Sequence, residues 1–279
     1  MRAISVKDIT SKVVELFLKA NTCVSCDLID ALKQALKQEQ SPQGQEILRQ
    51  IIDNDLYATK MNKPICQDTG MAVCFVELGI DVHLDGDIYD AINEGVRIAY
   101  QQGYFRKSIV RDPLDRENTG DNTPAVIHIK LVPGENIKIS VMAKGGGSEN
   151  MSALKMMIPA DGIEGIKQFV IDTVKSAGGK PCPPIIVGIG IGGDFENAAL
   201  MAKQALLREI NDINQNPKLA KIEEEIKCAI NKEGIGPMGL GGKTTCLAVK
   251  IQTAPCHIAS MPVAINIQCH VSRHQSDII

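Results

Sequence analysis

Lys63-Pro-Ile-Cys-Gln-Asp-Thr-Gly70 runs straight into Met71-Ala-Val-Cys-Phe-Val-Glu-Leu78. The second half is apolar and β-branched, the pattern of a buried strand. The first half crowds a thiol, an amide, a carboxylate and a hydroxyl into one turn at the mouth of that strand. Loops placed by rigid elements are where chemistry tends to sit. Cys66 could bind a soft metal, Asp68 could move a proton, and Gly70 permits a tight backbone path. By itself the turn reads as an ordinary loop whose Cys is a small hydrophobe. Stretches further along the chain change that reading.

Upstream, apolar residues recur at helical spacing over 6–19, among them Val6, Ile9, Val13, Leu16 and Phe17. A second helix is predicted over 27–36. A third begins at Ser41-Pro42 and runs through Ile47, Ile51 and Leu56, so the N-terminal stretch forms a helical layer. Downstream, Asp85-Gly-Asp87 opens a helix that reaches about Gly103, and 116–124 is a polar loop. Two alternating strands, 125–132 and 136–142, flank Pro133-Gly134, which predicts a hairpin. His128 lies within the first and reads as a strand residue rather than a catalyst.

The second strand ends in Ala143-Lys-Gly-Gly-Gly-Ser-Glu-Asn-Met-Ser152. Three successive glycines let the backbone approach a ligand and offer N–H groups to an anion. A helix over 162–177, a strand over 185–193, helices from Asn197 and over 218–230, and strands over 244–251 and 262–267 follow. The fold class is mixed α/β, with helices packed on a mixed sheet beneath the helical N-terminal layer. The expectation is one domain over 1–279.

Composition narrows the functions. Of 279 residues, 44% are hydrophobic and 23% charged, with a net charge of −3, so nothing points to nucleic acid or an anionic membrane. No apolar run has the length of a membrane span or the form of a signal peptide, and a cytoplasmic protein is expected. Nine cysteines, scattered and odd in number, suit a reducing compartment better than a disulfide scaffold. Gly188, Gly190 and Gly193 match G-x-G-x-x-G, but no strand ending in an acid follows. Cys23-Val-Ser-Cys26 lacks a second pair at zinc spacing. These two features define the alternative from another class, a nucleotide- or zinc-binding module.

Cys66, Cys182 and Cys269 each sit on a turn beside polar residues or prolines. Cys74 and Cys246 fall in predicted strands and Cys228 in a predicted helix, where a buried thiol is usually inert. Cys256 competes with the first three on sequence grounds. Three thiolates on a cubane cluster leave one iron open, and an open iron is a Lewis acid.

Lys63–Gly70, Phe105–Pro113, Arg116–Pro124, Ala143–Ser152, Lys180–Pro184, Gly239–Thr244 and Gln268–His274 together resemble the class I fumarate hydratase and L-tartrate dehydratase family, in order and over nearly the whole chain. The resemblance implies an oxygen-sensitive [4Fe-4S] hydro-lyase that interconverts fumarate and malate, with an L-tartrate dehydratase as the near alternative. It implies Cys66, Cys182 and Cys269 as cluster ligands. Gln67, Arg106, Gly146 and Gly147 would bind the dicarboxylate, and Asp68 and His257 would handle protons. Single-chain members carry a further domain that completes the active site. This sequence stops at Ile279, which implies the α subunit of a two-subunit form. A separate β subunit and two αβ units are expected.

Overall fold

The computed structural model describes residues 2–279. Along the chain run β1 (Arg2–Ile4), α1 (Val6–Thr22), α2 (Cys26–Gln38), α3 (Pro42–Met61), β2 (Met71–Gly79), β3 (Val82–Leu84), α4 (Ile88–Gln102), β4 (Val126–Val132) and β5 (Ile137–Lys144). Then come α5 (Gly146–Glu149), β6 (Ala153–Met157), α6 (Gly162–Ala177), β7 (Ile185–Gly193), α7 (Phe195–Ala205), α8 (Pro217–Lys232), β8 (Cys246–Cys256), β9 (Met261–Gln268) and β10 (His274–Ile278). This is the mixed α/β class expected from the sequence. Among the described residues, no helix is long and apolar enough to cross a membrane. The contacts divide the chain into two compact units. One holds residues up to Val24, Asp55–Gly146 and Arg273–Ile279; the other holds Ser25–Asn54 and Gly147–Ser272.

In the first unit the sheet order is β10-β5-β2-β4. Helices α1 and α4 lie against it, each through one apolar stripe. Ile9, Val13 and Phe17 of α1 meet Ile92, Val96 and Tyr100 of α4 over Cys74, Val76, Ile139 and Val141 of the sheet. The helices cross at Gly95, where a Cβ would fall 2.7 Å from Val13 Cβ, so the crossing needs a residue without a side chain. Asp87 starts α4 by accepting the N–H of Tyr89 at 2.7 Å.

The hairpin expected at Pro133-Gly134 does not form. β2 lies between the two strands, antiparallel to β5 and parallel to β4. β2 is apolar on both faces and takes a central place, while β4 has no fully buried residue and sits at the edge. The C-terminal residues pair as β10 along the free side of β5. His128 stacks on Phe75 with ring centroids 5.2 Å apart, in keeping with a strand role.

In the second unit the order is β6-β9-β7-β8, with β7 parallel to β8 and antiparallel to β9. Side chains alternate strictly along β7. Ile185, Val187 and Ile189 pack with Val170 and Val174 of α6 and Ile226 and Ile230 of α8. Gly188 and Gly190 face α7, where a Cβ on either would fall 2.1 Å from the carbonyl oxygens of Ala202 and Ala198. The G-x-G-x-x-G match is therefore explained by close helix–strand packing.

The nine cysteines form no disulfide. Burial pushes the Cys74 and Cys246 thiols up to about 12, so both stay protonated and inert. Cys228 differs from expectation. It stands on the exposed face of α8, its thiol 3.4 Å from Glu224 Oε1, because the buried stripe of that helix is Glu223, Ile226 and Ile230.

Candidate active site

The turn ahead of β2 is fixed from several sides. Gly70 has φ +75°, and a Cβ there would lie 2.7 Å from the backbone of Lys144, so only glycine fits. The buried Tyr100 hydroxyl is shared between the carbonyls of Thr69 at 2.8 Å and Gly70 at 2.9 Å. Burial raises its pKa far above the ordinary phenol value, which keeps it a donor. Asn122 Nδ2 donates to the same Gly70 carbonyl at 3.3 Å, and its Oδ1 accepts the Ser108 N–H at 2.7 Å.

Asp121, next to Asn122, holds its loop in shape. It accepts the N–H and hydroxyl of Thr123 at 2.9 and 2.8 Å and Nε of Arg97 at 3.0 Å. Burial alone would raise its carboxyl, but these donors outweigh burial and hold it down at about 2.

This frame presents the expected residues. Cys66 is half-buried and Gln67 exposed. Asp68 Oδ1 accepts the Gly70 N–H at 3.1 Å and Oδ2 the Gly146 N–H at 3.0 Å. The antiparallel pairing of Met71 with Lys144 brings those two turns together. Thr69 donates its hydroxyl to the Arg106 carbonyl at 3.1 Å, which ties Arg106 to the same loop and leaves its side chain exposed. The resemblance gave the Gly146 N–H to substrate; in the structure it already serves Asp68.

Arg273 is a residue the sequence reading missed. It is buried and donates from Nη1 to the Asp68 carbonyl and to Asn21 Oδ1. Nothing local in the sequence marks it: its burial and its partners, 252 and 205 residues away, show only in the fold. Tyr100 was hidden within the apolar stripe of α4.

In the second unit Gly147 packs against the Lys180-Pro-Cys-Pro-Pro184 turn, where a Cβ would lie 3.3 Å from the Lys180 carbonyl oxygen. Cys182 has φ +57° and its N–H donates to the Gly179 carbonyl at 3.1 Å. Ile186 pairs with Gln268, so the Cys182 turn and Cys269 lie at the same end of the sheet, both half-buried.

Cys256 and His257 lie at the other end. Cys256 is the partner of Gly193, the last residue of the nine-residue β7. At strand rise that is about 25 Å from the start of β7. Cys256 is thereby separated from Cys182 and Cys269. The exposed His257 is not brought beside them, and its imidazole Nδ1 instead accepts the Ala259 N–H at 3.1 Å.

Among the described residues no group of three or more His, Cys, Asp or Glu side chains is gathered to hold a metal ion. The donor chemistry nonetheless suits iron–sulfur ligation. Cys66 in the first unit and Cys182 and Cys269 in the second are half-buried thiols on turns, whereas the buried strand thiols are locked in the protonated form.

Residues 10–277 match the family model described as fumarate hydratase (Fumerase). The chain is 45% identical to a putative L(+)-tartrate dehydratase subunit alpha of Methanocaldococcus jannaschii over 95% of each chain. It is 32% identical to the L(+)-tartrate dehydratase subunits alpha of Escherichia coli K12 and Shigella boydii, over 96% of this chain and 90% of theirs.

Proposed function

The chain belongs to the fumarate hydratase (Fumerase) family of iron–sulfur hydro-lyases, and from that premise we propose that it is the α subunit of an enzyme that adds water to, or removes it from, a four-carbon dicarboxylate. The observation that carries this reading is the Asp68 carboxylate, oriented by the N–H groups of Gly70 and Gly146 on the loop that also anchors Arg106. The fumarate–malate pair is the substrate assignment taken from the sequence. L-tartrate is the second reading, supported by the names of relatives at 45% and 32% identity.

A [4Fe-4S] cluster held by Cys66, Cys182 and Cys269 would supply an open iron, a Lewis acid for a substrate oxygen. The chain's own residues do the rest. Arg106 offers a planar fork that grips one substrate carboxylate in bidentate fashion. Gln67, exposed next to Cys66, can donate to the same dianion. Asp68, with lone pairs left on both oxygens, takes or delivers the proton at the carbon next to a substrate carboxylate. The Gly146 N–H aims Asp68 and is not counted as a substrate donor, whereas Gly147 keeps that role. His257 is left out of this arrangement, since the sheet register holds it away from Cys182 and Cys269.

Residues 1–279 are read as one catalytic domain. A separate β subunit would provide the second carboxylate clamp, and two αβ units would close by two-fold symmetry. The test is to purify the chain anaerobically with and without a candidate β subunit and to measure kcat/KM for fumarate, L-malate and L-tartrate. Turnover is expected only from the pair. Full turnover by this chain alone would overturn the two-subunit reading, and a pair inert on all three acids would overturn the function.

A further inference from the structure

The Gly239-Leu-Gly-Gly-Lys-Thr244 stretch has no role in the reaction outlined above, yet a buried charge is devoted to it. Glu39, at the end of α2, is 3% exposed. Its Oε1 accepts the N–H groups of Gln40 and Ser41, both at 3.0 Å. The Lys243 N–H reaches Oε1 at 3.0 Å and Oε2 at 2.8 Å, and the Thr244 N–H reaches Oε2 at 3.0 Å. Burial pushes the carboxyl up, but these backbone donors outweigh burial and hold it below its ordinary value. Successive N–H groups of this kind form a nest for an anion, and here the protein supplies the anion itself.

The other side of the same loop grips the Cys182 turn. Met238 donates its N–H to the Pro183 carbonyl at 2.8 Å. Gly239, at φ +76°, lies so close that a Cβ would fall 2.4 Å from Gly179 Cα, and Gly179 in turn accepts the Cys182 N–H. The loop cannot shift freely between its two contacts. At Gly236 a Cβ would fall 2.1 Å from the Gly241 carbonyl, and at Gly242, φ +127°, 3.0 Å from Glu39 Oε2.

We infer that Glu39 is a positioning residue for the Cys182 thiol, acting through the glycine loop it clasps. The inference rests on Cys182 being a cluster ligand and adds a residue that sets its orientation. Without the carboxylate, the Lys243 and Thr244 N–H groups lose their acceptor. The loop relaxes, and with it the contacts at Pro183 and Gly179 that hold Cys182 in its left-handed conformation. A Glu39→Gln change is enough, because half of the amide presents N–H to N–H.

The experiment follows the metal-free full chain of wild type and E39Q, alkylated with iodoacetamide and read residue by residue by mass spectrometry. Cys182 should react at least about threefold faster in E39Q, while Cys269 and the buried Cys246 keep their wild-type rates. After reconstitution with iron and sulfide, iron per chain should fall by about half or more. An unchanged Cys182 rate, or Cys182 and Cys246 accelerating together as the unit opens, would overturn the inference. If E39Q does not fold, Gly242→Ala disturbs the same contact from the loop side; the same pattern is expected, and wild-type behaviour overturns the inference. Cys182→Ser separates the two layers. Full iron content in that variant removes Cys182 as a ligand, while the alkylation rate in E39Q still decides whether Glu39 positions it.

Discussion

The backbone N–H of Gly146 donates to Oδ2 of Asp68 at 3.0 Å, across the join between the β2 and β5 turns. With the Gly70 N–H on Oδ1, both carboxylate oxygens are aimed by backbone. In the proposed reaction, an Asp68 carboxylate oriented this way keeps its remaining lone pairs for the substrate proton.

Gly146 needs its N–H and not its lack of a side chain, since a Cβ there would meet nothing within 4 Å. In the assembled enzyme Gly146→Ala should leave kcat/KM within about twofold of wild type. Gly146→Pro, tolerated at the first position of α5, removes the donor and should lower kcat roughly tenfold with KM little changed. Equal kinetics for the two variants would show that the bond does not orient Asp68.

Arg106→Lys keeps the charge and loses the fork. The cost expected in transition-state binding is roughly 2–4 kcal/mol, about two orders of magnitude in kcat/KM, with the visible absorption of the cluster unchanged. Near-normal steady-state kinetics would remove Arg106 from substrate binding.

Replacing Cys66, Cys182 or Cys269 by Ser should each abolish the brown colour on reconstitution with iron and sulfide. Cys256→Ser should retain it, because Cys256 is about 25 Å along the sheet from the other end of β7. Cys228→Ser should also retain it, the thiol being exposed on α8. Bleaching by Cys256→Ser with colour kept in Cys269→Ser would overturn the ligand set.

Asp121 gives an acid limb to stability. Its folded carboxyl sits at about 2, below its unfolded value near 4, so the folded state binds its proton less readily. The stabilisation is present above about pH 4 and is lost as pH falls toward 2. Thermal midpoints measured from pH 6 to pH 2.5 should fall more steeply for wild type than for Asp121→Asn. Parallel curves would mean that Asp121 contributes nothing to the acid limb.

The element pattern was largely legible because apolar period and capping residues agree locally. Ile9, Val13 and Phe17 announce α1 without reference to anything distant. Strand neighbours were not legible. Pro133-Gly134 carries a hairpin signal, and it is overridden because β2, apolar on both faces, competes for the central position. Cys66, Asp68 and Cys182 stand out by their turns. Arg273 and Glu39 do not, since each acts on a partner about 200 residues away, 205 for Arg273 and 204 for Glu39 with Lys243. No local pattern encodes such pairings. The separation of His257 from Cys182 was equally invisible before the register of β7, β8 and β9 was known.

The bond from Arg273 to the Asp68 carbonyl spans 205 residues, and β10 closes the first unit only after the residues of the second. During vectorial synthesis Cys66, Cys182 and Cys269 all emerge before Arg273 does. The nascent chain thus displays every thiol of the proposed centre while the Asp68 turn still lacks its guanidinium tether. The order of emergence leaves the Asp68 turn untethered until the second unit has been made, so a strand synthesised after that unit completes the frame of a loop synthesised before it.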